Sequence, residues 1–373
     1  MAIDLKASMR SLRRQVRHLP VWPKVAVPVL CGVVAFFGIA SALGSTADRP
    51  EEPVSSLDAA VDDAPATEGA EAPAAPAPNA PATAVAPTAL DAASGSGDIN
   101  LFDATGSQRT VDASEAPAVA AALDAFREAG YEAGFVVYDF ATQRGLGCNA
   151  DFECFSASTI KAPFVTYVAQ GLVDEGQASL TDEVFEDIVM DGTGIMADDD
   201  VSVYDLQTVL ANTIVYSDNT GYALLRDDYG SGFDEWAAAA GVDAGAWEGE
   251  WYPYFTPRDL AKLWLGVGGY LRDGVGQAPL CEELFAQTGT SFIRRTLGAD
   301  HQVLAKAGYE IDTPWYDMGA LNDAGIVKVA SGDYLMAVMS DADYDDEYFT
   351  DNEPLITNLI AALDEAHDRL LAA

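Results

Sequence analysis

The chain has 373 residues, with 20 basic and 59 acidic side chains and a formal net charge of −39 at pH 7. This excess of negative charge repels nucleic-acid phosphates and anionic lipid headgroups, so both are poor partners. The sequence has only three histidines and no Cys-x-x-Cys spacing, which argues against a zinc site. No metal, nucleotide or organic cofactor is indicated.

The first 44 residues differ in character from the rest of the chain. Residues 1–24 form a basic segment with a single acid, Asp4, and residues 25–44 carry no charge. Twenty helical residues span about 30 Å, the thickness of a bilayer's hydrocarbon core. We predict an uncleaved transmembrane anchor, with a cleaved signal peptide as the alternative. Positive charge ahead of the span predicts a cytoplasmic N-terminus and an extracytoplasmic remainder on the cell membrane.

Residues 45–98 have the composition of a tether. They are rich in Ala, Pro, Ser, Thr, Asp and Glu and contain no aromatic residue. Such a segment buries too little apolar surface to offset the entropy of ordering it. We predict a disordered linker here, followed by one folded domain over residues 99–373.

That domain shows both helical and strand patterns. Helical spacing of apolar residues occurs at 116–129, 202–215, 257–270 and 353–371. Strand patterns occur at 134–140, 145–148, 303–307, 318–329 and 334–340. Because strands from both ends of the domain enclose a helical block, we predict an α+β fold with one antiparallel sheet closed by both termini. Cys148 and Cys154 flank a short loop, so a local disulfide could form in an oxidising compartment.

The pair Ser158 and Lys161 lies at the start of an apolar, helix-compatible run. Residues three apart on a helix share one face. A lysine desolvated by apolar neighbours has a lowered pKa and can take the proton of a serine hydroxyl. The N–H groups at a helix start favour the oxyanion that forms when serine attacks a carbonyl.

Two further motifs lie where the sheet and the helical block would meet. Ser217 and Asn219 belong to a Ser-Asp-Asn stretch at the end of a helical pattern. Ser217 could relay a proton to a leaving group, and Asn219 could donate to a substrate amide. Lys306 begins a Lys-Ala-Gly stretch on a predicted strand, where it could hold a carboxylate or tune Ser217. Gly308 would let a substrate backbone lie close to the strand edge.

The three motifs beginning at Ser158, Ser217 and Lys306 together resemble the Ser-x-x-Lys, Ser-Asp-Asn and Lys-Thr-Gly pattern of class A β-lactamases and penicillin-binding proteins. Three further segments also resemble that family, at residues 191–196, 256–261 and 321–327. The resemblance covers roughly residues 131–371. It implies a β-lactamase/transpeptidase-like fold and a serine hydrolase that works through an acyl-enzyme.

Each motif residue takes a role from this resemblance. Ser158 would be the nucleophile, and Lys161 its proton acceptor or relay. Ser217 would pass a proton to the departing nitrogen, Asn219 would position the substrate amide, and Lys306 would help bind the substrate carboxylate.

The oxyanion hole would consist of the backbone N–H groups of Ser158 and Tyr309. The chain also departs from the family pattern, because Ala307 replaces the Thr or Ser whose hydroxyl would bond a β-lactam carboxylate. Class A enzymes carry a deacylating Glu in a Glu-x-x-Leu-Asn loop, which is missing from residues 230–255. Glu248, which follows a tryptophan, is our candidate for that base, and Glu250 is its rival; either could be a solvated loop acid.

Three functions remain open at this stage. The first is a membrane-anchored β-lactamase that hydrolyses β-lactams. The second is a penicillin-binding-type D,D-peptidase or transpeptidase acting on peptidoglycan stem peptides. The third is a non-catalytic domain that binds wall peptides. The partner is accordingly a small-molecule β-lactam or a peptidoglycan peptide.

Overall fold

A computed structural model describes residues 85–247, 250–312, 318–344 and 351–372, and a seven-stranded antiparallel sheet lies at its centre. The strands of the described chain are β1 (Asn100–Asp103), β2 (Gln108–Thr110), β3 (Ala133–Asp139), β4 (Arg144–Cys148), β5 (Cys154–Phe155), β6 (Glu183–Phe185), β7 (Val203–Asp205), β8 (Tyr254–Phe255), β9 (Gln302–Glu310), β10 (Ala320–Lys328) and β11 (Tyr334–Ser340). The main sheet has the order β2-β1-β4-β3-β11-β10-β9, so β9 is an edge strand. The predicted antiparallel sheet built from both ends of the domain is confirmed.

The helices of the described chain are α1 (Pro117–Glu128), α2 (Lys161–Tyr167), α3 (Leu206–Val215), α4 (Asn219–Tyr229), α5 (Phe233–Ala239), α6 (Pro257–Asp273), α7 (Ala278–Gln287), α8 (Phe292–Leu297) and α9 (Glu353–Leu370). The helix predicted at 202–215 begins later than expected. Residues 203–205 form β7, and the Asp205 carboxylate accepts a hydrogen bond from Thr208 N at 2.7 Å, which caps α3.

The sheet is covered on both faces because its strand residues alternate between two cores. Val136 and Tyr138 of β3 join the core formed with the helical block, whereas Phe135 and Val137 join the core formed with α1 and α9. This period of two is what an extended chain produces. Both faces are apolar, so the central strands read as nearly continuous hydrophobic runs.

The short strands β1 and β2 were not predicted. Their residues are few and mostly polar, and β2 is exposed along its length, so neither has an alternating apolar pattern. They extend the sheet on the side away from β9, because β1 pairs with β4.

The predicted end of the disordered linker at residue 98 was wrong, because ordered structure begins earlier in the chain. Residues 87–92 form a 3-10 helix whose Leu90 is fully buried. The Arg258 side chain donates to the carbonyls of Leu90 and of Ala93, the latter at 2.8 Å. The buried Leu90 side chain and the partly buried Arg258 thus help to order a segment whose composition alone indicates disorder.

The predicted anchor at 25–44, the basic segment 1–24 and most of the linker lie outside the described residues. Among the residues that are described, no helix is both long enough and apolar enough to cross a membrane. Cys148 is a buried free thiol that donates to the carbonyl of Gly97 at 3.3 Å, so the suspected bridge to Cys154 is not formed.

A buried contact between His367 and Asp139 joins α9 to the sheet. The His367 ring Nε2 lies 2.8 Å from Asp139 Oδ2, and both side chains are at most 1 % exposed. The Asp139 Oδ1 atom accepts from Thr142 N at 2.6 Å and Thr142 Oγ1 at 2.9 Å. Burial alone would raise the pKa of Asp139, but the hydrogen bonds from His367 and Thr142 outweigh it and lower the pKa below its usual value.

Replacing Asp139 with asparagine is expected to lower the free energy of unfolding by about 1–3 kcal/mol at neutral pH, because bonds to a charged acceptor are lost. A carboxylate with a lowered folded-state pKa stabilises the protein above its unfolded pKa, and that stability is lost as the pH falls through the folded-state pKa. Urea unfolding at pH 7 and below pH 4 measures both effects. The wild type should lose stability faster than Asp139→Asn on acidification, and equal slopes would contradict the assignment.

Candidate active site

The site lies where the turn carrying Ser158 packs against the edge strand β9. A Cβ atom added at Gly308 would lie 2.6 Å from both Ser158 N and Thr159 N, and 2.7 Å from Ser156 O. These are backbone atoms, which cannot move aside as a flexible side chain can. Glycine at 308 therefore allows the turn carrying Ser158 to approach the strand, and its predicted role of accommodating a substrate backbone stays a prediction.

Ser158 sits in the 3-10 helix Ala157–Ile160, which runs directly into α2. Side chains three residues apart are eclipsed in a 3-10 turn, so Ser158 and Lys161 lie on one face as predicted. Ala157 has φ of +44°, a conformation that costs a non-glycine residue energy and is found at functional sites. The Asn322 side chain donates to the carbonyl of Phe155 at 2.8 Å and ties the approach to the turn to β10.

Lys161 is fully buried, and its ammonium nitrogen faces carbonyl oxygens. Lys161 Nζ donates to Ser217 O at 2.6 Å and to Asn219 Oδ1 at 2.8 Å, and it lies 3.4 Å from Ser217 Oγ. Burial lowers the pKa of Lys161 well below its usual value, the neighbouring Lys306 ammonium lowers it further, and the Asp218 carboxylate opposes both. Two N–H groups of Lys161 thus donate to Ser217 O and Asn219 Oδ1. In a neutral amine, the lone pair of Nζ would point away from these two acceptors.

Ser217 connects the two buried lysines. Lys306 Nζ donates to Ser217 Oγ at 3.0 Å and to Ala307 O at 2.8 Å. With Lys306 as the donor, the Ser217 hydroxyl proton is free to point toward Lys161 Nζ. Burial lowers the pKa of Lys306 to about 8, against the opposing effect of the Asp323 carboxylate. Ser217 itself has φ of +54°, so a second strained backbone position lies in the site.

Asn219 bonds to neighbouring protein groups, and its predicted contact with a substrate amide stays a prediction. Its side-chain nitrogen donates to Asp191 O at 3.0 Å, and its oxygen accepts from Lys161. The Thr193 hydroxyl donates to Ser217 O at 2.6 Å and lies 3.3 Å from Asn219 Oδ1. In this structure Asn219 therefore links the buried lysine to the segment 191–196.

Asp218, the middle residue of the Ser-Asp-Asn motif, also bonds to the segment 191–196. Asp218 Oδ2 accepts from the backbone N–H groups of Ile195 at 2.6 Å and Met196 at 2.9 Å. Its other oxygen accepts from Gly221 N at 2.9 Å, so Asp218 also caps α4. The sequence placed Ser217 and Asn219 in the site, but the role of Asp218 depends on a contact with residues more than twenty positions earlier.

Tyr252 is a site residue that the sequence analysis missed. Its hydroxyl donates to Asn219 Oδ1 at 3.0 Å. The rings of Tyr222 and Tyr252 lie next to each other on one side of Lys161, with centroids 5.8 Å and 5.7 Å from Nζ and 5.2 Å apart. No periodicity or motif in the Trp-Tyr-Pro-Tyr stretch around it indicates such a contact.

The remaining candidates are Tyr309, Glu248 and Glu250. In the described chain, the structure gives no hydrogen bond from Tyr309 or Glu250 to the buried Lys161 or Lys306. Tyr309 follows Gly308 on the edge strand and packs its ring against Tyr344 with centroids 4.5 Å apart. Glu248 lies outside the described residues. Glu250 is exposed, and its backbone N–H donates to Trp247 O at 2.8 Å. No group of His, Cys, Asp and Glu side chains in the described chain could hold a metal ion.

Comparison with known proteins identifies the family. A family model described as the Beta-lactamase enzyme family matches residues 117–366, more than half of the chain. The chain belongs to this family. The matched range contains every candidate residue of the site. The three motifs therefore lie within the part of the chain that has the β-lactamase-family serine hydrolase fold.

Solved structures show the same β-lactamase fold. A structure of PBP-A is 22% identical, with a TM-score of 0.56, and the match covers 68% of this chain and 97% of that one. A β-lactamase from Sphaerobacter thermophilus DSM 20745 is 23% identical, with a TM-score of 0.56, and the match covers 70% of this chain and 99% of that one. A search of curated proteins found no significant match.

Proposed function

We propose that this chain is an active-site serine hydrolase that reacts with β-lactams and forms an acyl-enzyme on Ser158. The observation that carries the proposal is the buried Lys161, whose two nearest acceptors are carbonyl oxygens and which lies one turn after Ser158. A lysine in this state is a base, because its pKa is lowered by burial and by Lys306. A lysine of this kind is one of the groups that activate a serine nucleophile.

In the proposed acylation, Ser158 Oγ attacks the lactam carbonyl carbon and its proton passes to Lys161 Nζ. The backbone N–H groups of Ser158 and Tyr309 stabilise the oxyanion. The C–N bond then breaks, and the departing nitrogen takes the Ser217 hydroxyl proton. Ser217 recovers a proton from Lys161, which returns to its neutral form. Lys306, whose ammonium carries three N–H groups and donates two of them to Ser217 Oγ and Ala307 O, binds the substrate carboxylate.

Deacylation requires water to attack the ester and release Ser158 with its proton. In class A enzymes a glutamate of a nearby loop activates that water. In the described part of this chain, the loop side chain that contacts Asn219, the partner of Lys161, is Tyr252. A phenol is a poor general base at neutral pH, since its pKa is near 10. We therefore propose that β-lactam turnover is slow unless Glu248 supplies the base.

The same observation favours a second candidate function, a penicillin-binding-type D,D-peptidase acting on peptidoglycan stem peptides. Such an enzyme forms the same acyl-enzyme and uses no deacylating glutamate of this type. A solved structure of a PBP-A point mutant, an acyl-enzyme complex with penicillin G, is 22% identical to this chain, with a TM-score of 0.55. The acyl group in that structure supports penicillin G as the probe for this chain. A tether to the cell membrane through residues 1–44 would suit a wall substrate, and it remains a prediction.

The test is intact-mass spectrometry of the full-length protein with penicillin G, followed over time. An adduct of one penicillin on the peptide containing Ser158 is expected, with a lifetime of minutes or longer. An adduct that disappears within seconds would identify an efficient β-lactamase. No adduct together with unhydrolysed penicillin G would contradict the proposed function and favour a wall-peptide-binding domain without catalysis.

Glu248→Gln and Glu250→Gln separate the two candidate bases in the same experiment. If Glu248 activates water, its glutamine variant should prolong the adduct by about 10²-fold or more, the usual contribution of a general base. Glu250→Gln is the matched control, since its exposed side chain belongs to the same loop. Equal lifetimes in all three proteins would exclude both acids.

A further inference from the structure

Tyr252 belongs to a chain of aromatic rings that leads from the surface to Lys161. The exposed Tyr254 ring lies 5.4 Å from Phe155, which lies 6.3 Å from Tyr252, which lies 5.2 Å from Tyr222. β5 and β8 fix the outer end, because Phe155 pairs with Tyr254 in register. These contacts hold the Tyr252 ring in one place beside the buried lysine.

The hydroxyl of Tyr252 and the amine of Lys161 share one acceptor. Asn219 Oδ1 accepts one hydrogen bond from Lys161 Nζ at 2.8 Å and another from Tyr252 OH at 3.0 Å. The orientation of the Asn219 amide follows from its nitrogen, which donates to a backbone carbonyl that can only accept. A carbonyl oxygen has two lone pairs, and the Thr193 hydroxyl also lies 3.3 Å away. Each donor therefore weakens the bond that the others make.

We infer that Tyr252 is a positioning residue that keeps Lys161 in its neutral, proton-accepting form by competing for Asn219 Oδ1. An ammonium group depends more on its acceptors than a neutral amine does, so a competing donor disfavours the charged form. This inference rests on the proposed function, in which Lys161 takes the proton of Ser158.

The other groups facing Lys161 act from separate elements. Lys306 on β9 disfavours the ammonium, whereas Asp218 at the start of α4 favours it. Tyr222 on α4 contributes its ring face, and its hydroxyl donates to Trp251 O at 2.8 Å. Tyr222 therefore matches Tyr252 in its distance from Lys161 but makes no bond to the shared acceptor.

The difference between the two tyrosines provides the test. Tyr252→Phe keeps the ring and removes the donor, so Asn219 Oδ1 becomes more available to a charged Lys161. The midpoint of the acylation rate against pH should then rise by about 0.5–1 pH unit, the equivalent of one hydrogen bond. Below that midpoint, acylation by penicillin G should slow about three- to tenfold. Tyr222→Phe should leave the midpoint within about 0.2 pH unit of wild type, on the same scale.

A direct titration of Lys161 gives a second readout. In full-length protein with ¹³C-labelled lysine, the Cε resonance of Lys161 is assigned by its absence from Lys161→Met. Its midpoint should rise by the same amount in Tyr252→Phe. Thermal unfolding confirms that each variant is folded at the pH values used.

The outcomes are distinguishable. A rise in the Lys161 midpoint in Tyr252→Phe alone supports the inference. An unchanged or lower midpoint, or an equal rise in Tyr222→Phe, overturns it. If the wild type forms no adduct on Ser158 and leaves penicillin G unhydrolysed, the proposed function fails and Tyr252 has no role in catalysis, whatever the titration shows.

Discussion

Replacing Ser158 with alanine is expected to abolish the covalent penicillin adduct while leaving the protein folded. The variant lacks the only oxygen that forms the ester, so no acyl-enzyme can accumulate. Any residual lactam hydrolysis should be about 10⁴–10⁶-fold slower than in the wild type, the usual loss when a serine nucleophile is removed. The side chain is half-buried, and its loss should change the free energy of unfolding by less than about 1 kcal/mol. Intact-mass spectrometry and urea unfolding measure both quantities.

Ser156→Ala is the matched control, two residues earlier in the same turn. The Ser156 side chain is fully buried, and its hydroxyl has no hydrogen-bond partner in the described part of the chain. Removing an unsatisfied buried hydroxyl does not cost a bond, so stability should be unchanged or slightly higher. This variant should keep the adduct. Labelling that survives in Ser158→Ala, or is lost equally in both variants, would contradict the assignment of the nucleophile.

Replacing Gly308 with alanine is expected to slow acylation by about 10²–10³-fold although it removes no polar group of the site. The added methyl group would lie 2.6 Å from the backbone nitrogens of Ser158 and Thr159. The turn must therefore move away from β9, which carries both Lys306 and the expected oxyanion donor at Tyr309. Misplacement of reacting groups by about 1 Å can cost 10²-fold in rate. The second-order rate constant for acylation by a fluorescent penicillin measures the loss.

Gly269→Ala controls for the loss of a glycine as such. An added Cβ atom at Gly269, within α6, meets no heavy atom within 4 Å. Alanine is preferred to glycine inside a helix by about 1 kcal/mol, so this variant should be at least as stable as the wild type. Its acylation rate should be unchanged. If Gly308→Ala acylated at the wild-type rate, the close approach at β9 would not matter for the chemistry.

The sequence predicted the long helices and strands of the domain better than its short elements. Long segments with clear periodicity were predicted well, because one buried face imposes its spacing on the sequence. The strands β1 and β2 and the 3-10 helix at 87–92 were missed, because each is short and is held by contacts with distant residues. Arg258 is an example: it orders a segment more than 160 residues earlier in the chain.

Within the site, the sequence placed Ser158, Lys161, Ser217 and Lys306 near one another. The structure joins Lys161, Ser217 and Lys306 by hydrogen bonds and packs the turn carrying Ser158 against Gly308 on the same strand as Lys306. Their grouping follows from residue chemistry and from the family's spacing. The roles of Asn219 and Gly308 toward a substrate were predicted from the same motifs and stay predictions, and the structure adds a contact of each with the protein.

The sequence by itself determined the chemistry available to this protein: a serine and a lysine on one helical face, two further polar motifs, and a sheet built from both ends of the domain. Local spacing suffices for these features, since they depend on neighbours along the chain. Only the tertiary structure decided what surrounds Lys161. Its pKa is lowered by burial and by Lys306 on a strand 145 positions later, and its acceptor Asn219 Oδ1 also accepts from a Tyr252 hydroxyl that no motif marks. Desolvation and shared hydrogen-bond acceptors are properties of three-dimensional packing, and a linear pattern does not encode them.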